Sequence, residues 1–292
     1  MARIAIIGGG SIGEALLSGL LRAGRQVKDL VVAERMPERA KYLSSTYGIL
    51  VAASVADAVE NAPVVVVAVK PHDVGAVVED LSAAVAGADH GAVEQVFVTV
   101  AAGVTVGSFE TRLPAGTPVV RAMPNAAALV GAGVTALAAG RFVTEEHLEK
   151  ISALFRAVGS VLTVPEGQLD AVTALSGSGP AYFFLLVEAL VDAGVGVGLS
   201  RQVATDLAAQ TMAGSAEMLL ERMDTERQLA DRAPAGLRVD TSAAQLRASI
   251  VSPGGTTAAA LRALEQGGFR IAVDAAVQAA KCRSEQLRIT SE

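Results

Sequence analysis

A strand, a glycine-rich turn and a helix follow one another within the first 24 residues, and this succession constrains the fold more than any other feature. Residues 3–7 have the apolar character of a buried strand, and residues 15–21 repeat apolar side chains at helical spacing until Gly24. The turn between them is G-x-G-x-x-G in the strand–turn–helix context that dinucleotide binding requires. We therefore predict that the cofactor is bound by Gly8, Gly10, Ser11, Ile12 and Gly13.

The three glycines of this pattern have separate tasks. The first makes the tight turn, the second lets the pyrophosphate approach the backbone, and the third lets the helix pack closely on the strand. Here these are Gly8, Gly10 and Gly13.

An acidic residue follows the second predicted strand, where folds of this kind bind the adenosine ribose. That strand, residues 30–33, ends at Glu34, which lies 34 − 13 = 21 residues after Gly13. A carboxylate at this spacing suits a ribose 2′-hydroxyl, whereas the nearby Arg35 and Arg39 suit a 2′-phosphate. The sequence predicts that Glu34 and Arg35 contact the cofactor, and it leaves open whether the cofactor is NADPH or NADH.

Strands and helices alternate along the first half of the chain. Val-, Ile- and Ala-rich strands between amphipathic helices predict a parallel sheet covered on both faces, an α/β doubly wound (Rossmann) domain. After residue 166 the strand pattern stops and the sequence becomes helical. We predict a dinucleotide-binding domain over residues 1–166 and an all-α domain over residues 167–292. Residues 224–245 are polar and irregular, and we expect a mobile insertion with no chemical role.

Residues just after the predicted strands form a second set of candidates. In a doubly wound sheet the ligand lies beyond the carboxyl ends of the strands, so these residues either contact the cofactor or only shape the loops. They are Val69, Lys70, Pro71, Ala102, Gly103 and Asn125.

A loop of glycines and hydroxyl residues precedes the helical segment 258–266. Its sequence is Ser252-Pro253-Gly254-Gly255-Thr256-Thr257. The first turn of a helix offers unpaired N–H groups and a partial positive charge, which favour a small anion. Because no lysine occurs in the loop, a carboxylate matches it better than a phosphate. An ordinary capped turn is the alternative.

A second turn of this composition runs from Ser176 to Pro180 in the helical half. Pro180 suits the first position of a helix, and Ser176 either caps that helix or meets a ligand. Thr173, one turn earlier, is placed to direct its hydroxyl to the same space.

Composition excludes several classes of function. The net charge is −6 without a basic block, which argues against nucleic acid. The longest apolar runs are shorter than the roughly 20 residues of a membrane span. The three histidines, His72, His90 and His147, lie in separate segments, so we predict no metal site.

The cysteine count and the apolar content indicate the cellular compartment and the state of association that we expect. The chain has one cysteine, Cys282, which suits a reducing cytoplasm, and it begins directly with a strand, so we expect no signal peptide. With 51% hydrophobic and 18% charged residues, we expect part of its surface to be buried between subunits.

Taken in order, these motifs resemble the pyrroline-5-carboxylate reductase family over essentially the whole chain. The resemblance rests on residues 7–13, 68–71, 101–105, 121–125, 172–182 and 252–257. It implies reduction of the cyclic imine 1-pyrroline-5-carboxylate to L-proline with NAD(P)H, the last step of proline biosynthesis. It also implies that the helical domain binds substrate and forms an intertwined dimer, and that dimers assemble into rings.

The same resemblance implies roles for individual residues. Ser252, Thr256 and Thr257 would hold the substrate carboxylate together with Gly255, and Thr173 would lie near the imine nitrogen, with Ser176 close to the substrate. The first assignment agrees with the helix-terminus argument above.

Two other classes of protein remain as alternatives. One is a related reductase of this architecture, a hydroxyacid dehydrogenase or another imine reductase. Hydroxyacid dehydrogenases need a group that takes the hydroxyl proton, often a lysine of the helical domain, and the sole lysine after Lys150 is Lys281. The other is a non-catalytic dinucleotide sensor, which would not need the second glycine–hydroxyl turn.

Overall fold

The structure, a computed structural model, describes residues 3–87, 94–230 and 241–287, without the side chains of 228–230. It divides into two compact units. The first contains the chain up to Pro180 together with the residues from Val277 onward, and the second contains Ala181–Ala276. This division falls later in the chain than residue 166. The predicted functional division, 1–166 and 167–292, stays a prediction.

The first unit is built on an eight-stranded sheet with the strand order β3-β2-β1-β4-β5-β6-β7-β8. Every neighbouring pair is parallel except β6 and β7. The strands are β1 Ile4–Ile7, β2 Leu30–Ala33, β3 Leu50–Ala52, β4 Val64–Val67, β5 Val96–Thr99, β6 Val119–Met123, β7 Gly133–Ala139 and β8 Gly159–Thr163.

Helices cover both faces of this sheet. They are α1 Ser11–Arg22, α2 Pro37–Tyr47, α3 Val55–Val59, α4 Val74–Ala86, α5 Val106–Glu110, α6 Glu145–Arg156 and α7 Leu169–Val172. Side chains alternate between the faces of a strand, so Ile4 and Ile6 of β1 belong to one buried core while Ala5 and Ile7 belong to another. The predicted doubly wound fold is confirmed.

The antiparallel pair β6–β7 differs from the predicted parallel sheet. The chain between Met123 and Gly133 forms only a short 3₁₀ turn, Ala126–Val130. A parallel crossover needs a dozen or more residues, usually with a helix, so the strand that follows this link must run back alongside β6. The longer connection through α6 lets β8 run parallel to β7, so both of these strands run opposite to β1–β6.

The remaining helices lie wholly or partly in the second unit. They are α8 Gly179–Gly196, α9 Arg201–Ala230, α10 Ser242–Ser249, α11 Thr256–Gln266 and α12 Phe269–Gln286. The helical run over residues 166–196 is long and apolar enough, by length and composition alone, to cross a membrane. Few of its apolar residues are buried, and Phe183, Phe184 and Leu185 are more than half exposed.

The predicted irregular insertion at residues 224–245 is wrong where the structure describes it. Helix α9 continues to Ala230 and α10 begins at Ser242. Arg222 donates to Glu226 one helical turn later, and the Ser242 hydroxyl donates to the same carboxylate at 2.8 Å. Charged side chains thus stabilise a segment that lacks apolar periodicity. Residues 231–240 lie outside the described residues.

A close contact between α1 and β1 predicts a stability cost for any side chain at Gly13. A Cβ atom there would lie 2.0 Å from the Gly8 carbonyl oxygen, so the helix would have to move away from the strand. We expect Gly13→Ala to lower the free energy of unfolding by about 1–3 kcal/mol, the usual cost of overpacking. Chemical denaturation monitored by circular dichroism measures this change.

The matched control is Gly75→Ala in the first turn of α4. The nearest atom to its new methyl group would be a guanidinium nitrogen of Arg112 at 3.5 Å, an ordinary contact. This variant should keep the wild-type stability or gain roughly 0.5–1 kcal/mol. Equal stability of the two variants would show that the helix–strand contact does not limit packing.

Candidate functional site

A cavity of about 820 Å³ opens at the carboxyl ends of the strands in the first unit. This is the place where doubly wound sheets bind ligands, and the volume suits a large cofactor. Ten of the predicted cofactor-binding residues line it. They are Gly8, Gly10, Ser11, Ile12, Glu34, Arg35, Val69, Lys70, Pro71 and Ala102.

The glycine turn forms one wall of the cavity and has the shape that a pyrophosphate needs. Gly8 has φ +103°, and a Cβ atom there would lie 2.8 Å from the Ala68 carbonyl oxygen. Gly10 precedes α1, and no atom lies within 4 Å of the position its Cβ would take. The first-turn amides of a helix lack intrahelical partners and favour an anion. The residues present therefore fit a dinucleotide.

Backbone amides hold the Glu34 carboxylate at the end of β2. One oxygen accepts a hydrogen bond from the Gly9 N–H at 2.9 Å, and the other accepts from the Met36 N–H at 2.8 Å. A Cβ atom on Gly9 would lie 2.3 Å from a methyl carbon of the buried Leu43, so a larger residue at this point would force Leu43 to move. The carboxylate is thus fixed at the rim of the cavity.

Both arginines that follow Glu34 are paired with acids. The Arg35 guanidinium donates two hydrogen bonds to the Asp73 carboxylate, at 2.9 and 3.1 Å. Arg39 donates to the Gly9 carbonyl oxygen at 2.7 Å and forms an ion pair with Glu14. The sequence predicted neither pairing, because each joins segments distant in the chain.

Two tyrosines complete the surroundings of Glu14. The hydroxyls of Tyr47 and Tyr42 donate to one Glu14 oxygen, at 2.8 and 3.1 Å. Burial raises the pKa of Glu14, but hydrogen bonds from Arg39, Tyr47 and Tyr42 outweigh burial and hold that pKa below its usual value. Burial and the hydrogen bond to Glu14 raise the pKa of Tyr47 to about 12. Glu14 is therefore ionised and Tyr47 is neutral at neutral pH.

Three of the predicted cofactor residues lie outside the lining of the cavity. Gly13 packs against Gly8 as described above, and Gly103 is a buried turn residue with φ +76°. The Asn125 side-chain oxygen accepts a hydrogen bond from the Val134 N–H at 3.2 Å, which joins the turn after β6 to β7. Contacts of these residues with a cofactor stay predictions.

Thr173 and Ser176 lie on a widened helical turn rather than on a loop. Residues Thr173–Gly177 form a π-helical turn after α7, a distortion that is frequent at functional sites. The Thr173 hydroxyl donates to the Leu169 carbonyl oxygen at 2.8 Å, and the Ser176 hydroxyl donates to that of Val172 at 3.2 Å. Each hydroxyl therefore keeps its lone pairs for a further partner.

The loop at residues 252–257 lies in the second unit and leads into α11. Gly254 has φ +71°, and the Gly255 N–H donates to the Ser252 carbonyl oxygen at 3.0 Å. The helix begins at Thr256, so Thr256 and Thr257 occupy its first turn. Gly255 caps the helix and has no side chain to accept from the first-turn amides, which leaves these donors to solvent or to a ligand.

Histidines and cysteine form no metal centre in the part of the chain that the structure describes. There, no group of three or more His, Cys, Asp or Glu side chains is placed to hold a metal ion. His72 and Cys282 are exposed. His147 is buried, and its ring closes a capping box with Thr144 at the start of α6. His90 lies outside the described residues.

Two known protein families match separate parts of this sequence. Residues 3–103 match the family described as NADP oxidoreductase, coenzyme F420-dependent. Residues 166–287 match the family described as pyrroline-5-carboxylate reductase dimerisation. The first match contains the glycine turn and Glu34, and the second contains Thr173 and the loop at residues 252–257. Together they confirm a Rossmann domain followed by a helical dimerisation domain.

Individual relatives resemble the chain over its full length. Pyrroline-5-carboxylate reductase of Mycobacterium tuberculosis strain H37Rv is 77% identical over 292 residues, which are 100% of this chain and 99% of that protein. The structure of a pyrroline-5-carboxylate reductase from Coxiella burnetii has a TM-score of 0.86 and 33% identity, covering 99% of each chain. That of Plasmodium falciparum pyrroline carboxylate reductase with NADP bound has a TM-score of 0.80 and 27% identity, covering 99% and 98%. The chain therefore belongs to the pyrroline-5-carboxylate reductase family.

Proposed function

We propose that this chain reduces 1-pyrroline-5-carboxylate to L-proline with NADH or NADPH, the last step of proline biosynthesis. The full-length identity of 77% to the M. tuberculosis reductase carries the proposal. The cavity at the strand ends supports it, because its glycine turn and Glu34 fit a dinucleotide. In this assignment residues 1–166 hold the cofactor and residues 167–292 bind substrate and dimerise.

The first unit supplies the cofactor contacts in this proposal. A bound dinucleotide provides the hydride. The first-turn amides of α1, beside the open space at Gly10, hold the pyrophosphate, and Glu34 faces the adenosine ribose. Val69, Lys70, Pro71 and Ala102 form the wall that follows β4 and β5.

Uncharged donors hold the substrate carboxylate. We assign it to the hydroxyls of Ser252, Thr256 and Thr257, beside Gly255 at the start of the 11-residue helix α11. The absence of a capping side chain at Gly255 supports this role over a simple capped turn. Ser176 adds a hydroxyl on the π-helical turn.

Thr173 acts as a hydrogen-bond acceptor for the imine nitrogen in this proposal. Its hydroxyl proton is already donated to Leu169, so its lone pairs can accept from the N–H of the protonated imine. That conjugate acid is cationic and receives a hydride without a further acid. Thr173 therefore orients the substrate rather than protonating it.

One observation argues against a hydroxyacid dehydrogenase. Lys281, which follows every other lysine in the chain, donates to the Glu285 carboxylate at 2.7 Å. This hydrogen bond raises the pKa of Lys281, which disfavours the neutral amine that a general base requires. A sensor without turnover remains the second candidate, and the assay described below separates it from a reductase.

Self-association and location complete the proposal. The match to the dimerisation family supports a dimer, and the exposed apolar side chains of α8 are the surface we assign to it. We further propose that dimers assemble into rings, that a second copy rather than lipid covers α8, and that the protein is cytoplasmic and binds no nucleic acid. The single cysteine supports the cytoplasmic location, and the net charge of −6 supports the absence of nucleic-acid binding.

The proposed reaction predicts cofactor oxidation that depends on the imine. Purified protein should oxidise NADH or NADPH when 1-pyrroline-5-carboxylate is supplied, and amino-acid analysis should detect proline in equal amount. Omission of the imine is the control. Cofactor binding without proline formation would support the sensor instead.

The carboxylate loop predicts a selective loss at Thr257. Thr257→Ala removes one hydroxyl donor to a charged group, so substrate binding should weaken by about 1.5–3 kcal/mol. Steady-state kinetics should show a higher KM for the imine, and the dinucleotide Kd should stay unchanged. Thr111→Ala is the matched control, since the Thr111 hydroxyl donates only to the nearby Gly107 carbonyl in the structure. A changed dinucleotide Kd with an unchanged imine KM would refute the assignment.

The exposed face of α8 predicts that the protein is not a monomer. An obligate interface buries on the order of 2,000 Å² or more, and Phe184, 65% exposed in the single chain, is placed to contribute. Analytical ultracentrifugation over a wide concentration range should show dimers or multiples of dimers, and Phe184→Glu should dissociate them. Val27→Glu, an exposed apolar position of the first unit, should not. A fully active monomer at micromolar concentration would rule out the dimer.

A further inference from the structure

The charged side chains near Glu34 are arranged in pairs. Glu34, Arg35 and Arg39 line the cavity together with Asp73. Arg35 is held by Asp73 through two hydrogen bonds, and Arg39 is held by Glu14. Each pair sums to zero charge, so neither arginine offers an unopposed positive charge to the cavity.

Glu34 has a different environment. Both of the hydrogen bonds that the structure gives its carboxylate come from backbone amides, those of Gly9 and Met36. These amides orient the carboxylate without cancelling its charge. This end of the cavity therefore carries one net negative charge at the position that faces the adenosine ribose. Lys70 follows β4, on the other side of β1 from Glu34 in the sheet.

The restraint on Arg39 depends on Glu14. Arg39 donates to the Gly9 carbonyl oxygen at 2.7 Å and lies over the Tyr42 ring, 4.9 Å from its centre. Glu14 pairs with a terminal nitrogen of the same guanidinium and is itself fixed by Tyr42 and Tyr47. Because Glu14 lies on α1 and Arg39 on α2, this ion pair joins two helices beside the cavity.

We propose that this end of the cavity selects the dinucleotide with a free 2′-hydroxyl, NADH, and that Glu14 enforces the selection by keeping Arg39 engaged. The inference rests on the proposed reductase function and specifies its cofactor. A 2′-phosphate would face the Glu34 carboxylate and find both nearby arginines neutralised. A 2′-hydroxyl would instead donate to Glu34. Glu14 is a positioning residue here, since it acts through Arg39.

Equilibrium binding tests the selection without turnover. Fluorescence titration should give wild-type protein a Kd for NADPH about tenfold or more above that for NADH, since tenfold corresponds to roughly 1.4 kcal/mol of repulsion. Adenosine 2′,5′-bisphosphate should likewise bind more weakly than 5′-AMP, which isolates the ribose position. Glu34→Ser should bring the two Kd values together by removing the like charge. Tighter binding of NADPH by wild-type protein would overturn the inference.

Glu14→Gln tests the positioning role. The amide keeps an acceptor for the tyrosine hydroxyls but loses the charge that holds Arg39, so NADPH affinity should rise about fivefold or more relative to NADH. The double variant Glu14→Gln/Arg39→Met should lose this gain, because the effect passes through Arg39. Glu38→Gln, which removes an equal charge from an exposed site on α2, is the matched control.

The possible outcomes distinguish a failure of the proposed cofactor selection from a failure of the proposed reductase function. If Glu14→Gln and Glu38→Gln gave the same ratio of the NADPH Kd to the NADH Kd, the role of Glu14 would be overturned. NADH-selective binding without proline formation would contradict the reductase and leave the selection in place. Binding of neither dinucleotide would contradict both. Circular dichroism and thermal melting confirm that each variant is folded before it is compared.

Discussion

The approach of α1 to β1 at Gly8 and Gly13 is the contact on which the rest of the first unit depends. Because neither residue has a side chain, the helix can begin close to the strand end, where Gly10, Ser11 and Ile12 line the cavity. The backbone of Gly9, which lies between them, binds two charged side chains. Its N–H fixes Glu34 and its carbonyl oxygen accepts from Arg39. One turn of backbone thus orients a negative and a positive side chain.

The elements of the first unit could be predicted from sequence because their signals are local. Apolar periodicity and glycine spacing place β1, α1 and β2 within a few residues of where they lie. The predicted direction of β7 is wrong because the direction depends on the length of the connection before the strand and not on the composition of the strand. Helical residues at 224–230 were missed because charged pairs, not an apolar stripe, stabilise them.

The candidate site was predictable in its outline and not in its charge pairing. Glu34 was found because a spacing rule ties it to the glycine turn. No such rule links Arg35 to Asp73, or Arg39 to Glu14, since these pairs join segments 38 and 25 residues apart. Whether an arginine near the ribose is free or engaged is therefore a tertiary property. The sequence alone leaves the choice between NADH and NADPH open for this reason. The charge pairing in the structure supports the proposed choice of NADH.

The proposed substrate explains why the two halves of the chain use different chemistry. The dinucleotide half relies on charges fixed in pairs, whereas the loop at residues 252–257 offers only hydroxyls and amides. A protonated imine acid carries a carboxylate and a cationic nitrogen on one small ring. A lysine at the carboxylate would repel that cation and raise its energy, while neutral donors bind the carboxylate without this penalty. In the proposed function, the loop without a lysine suits this substrate, and Thr173, whose hydroxyl donates to the Leu169 carbonyl oxygen, would meet the cation as an acceptor.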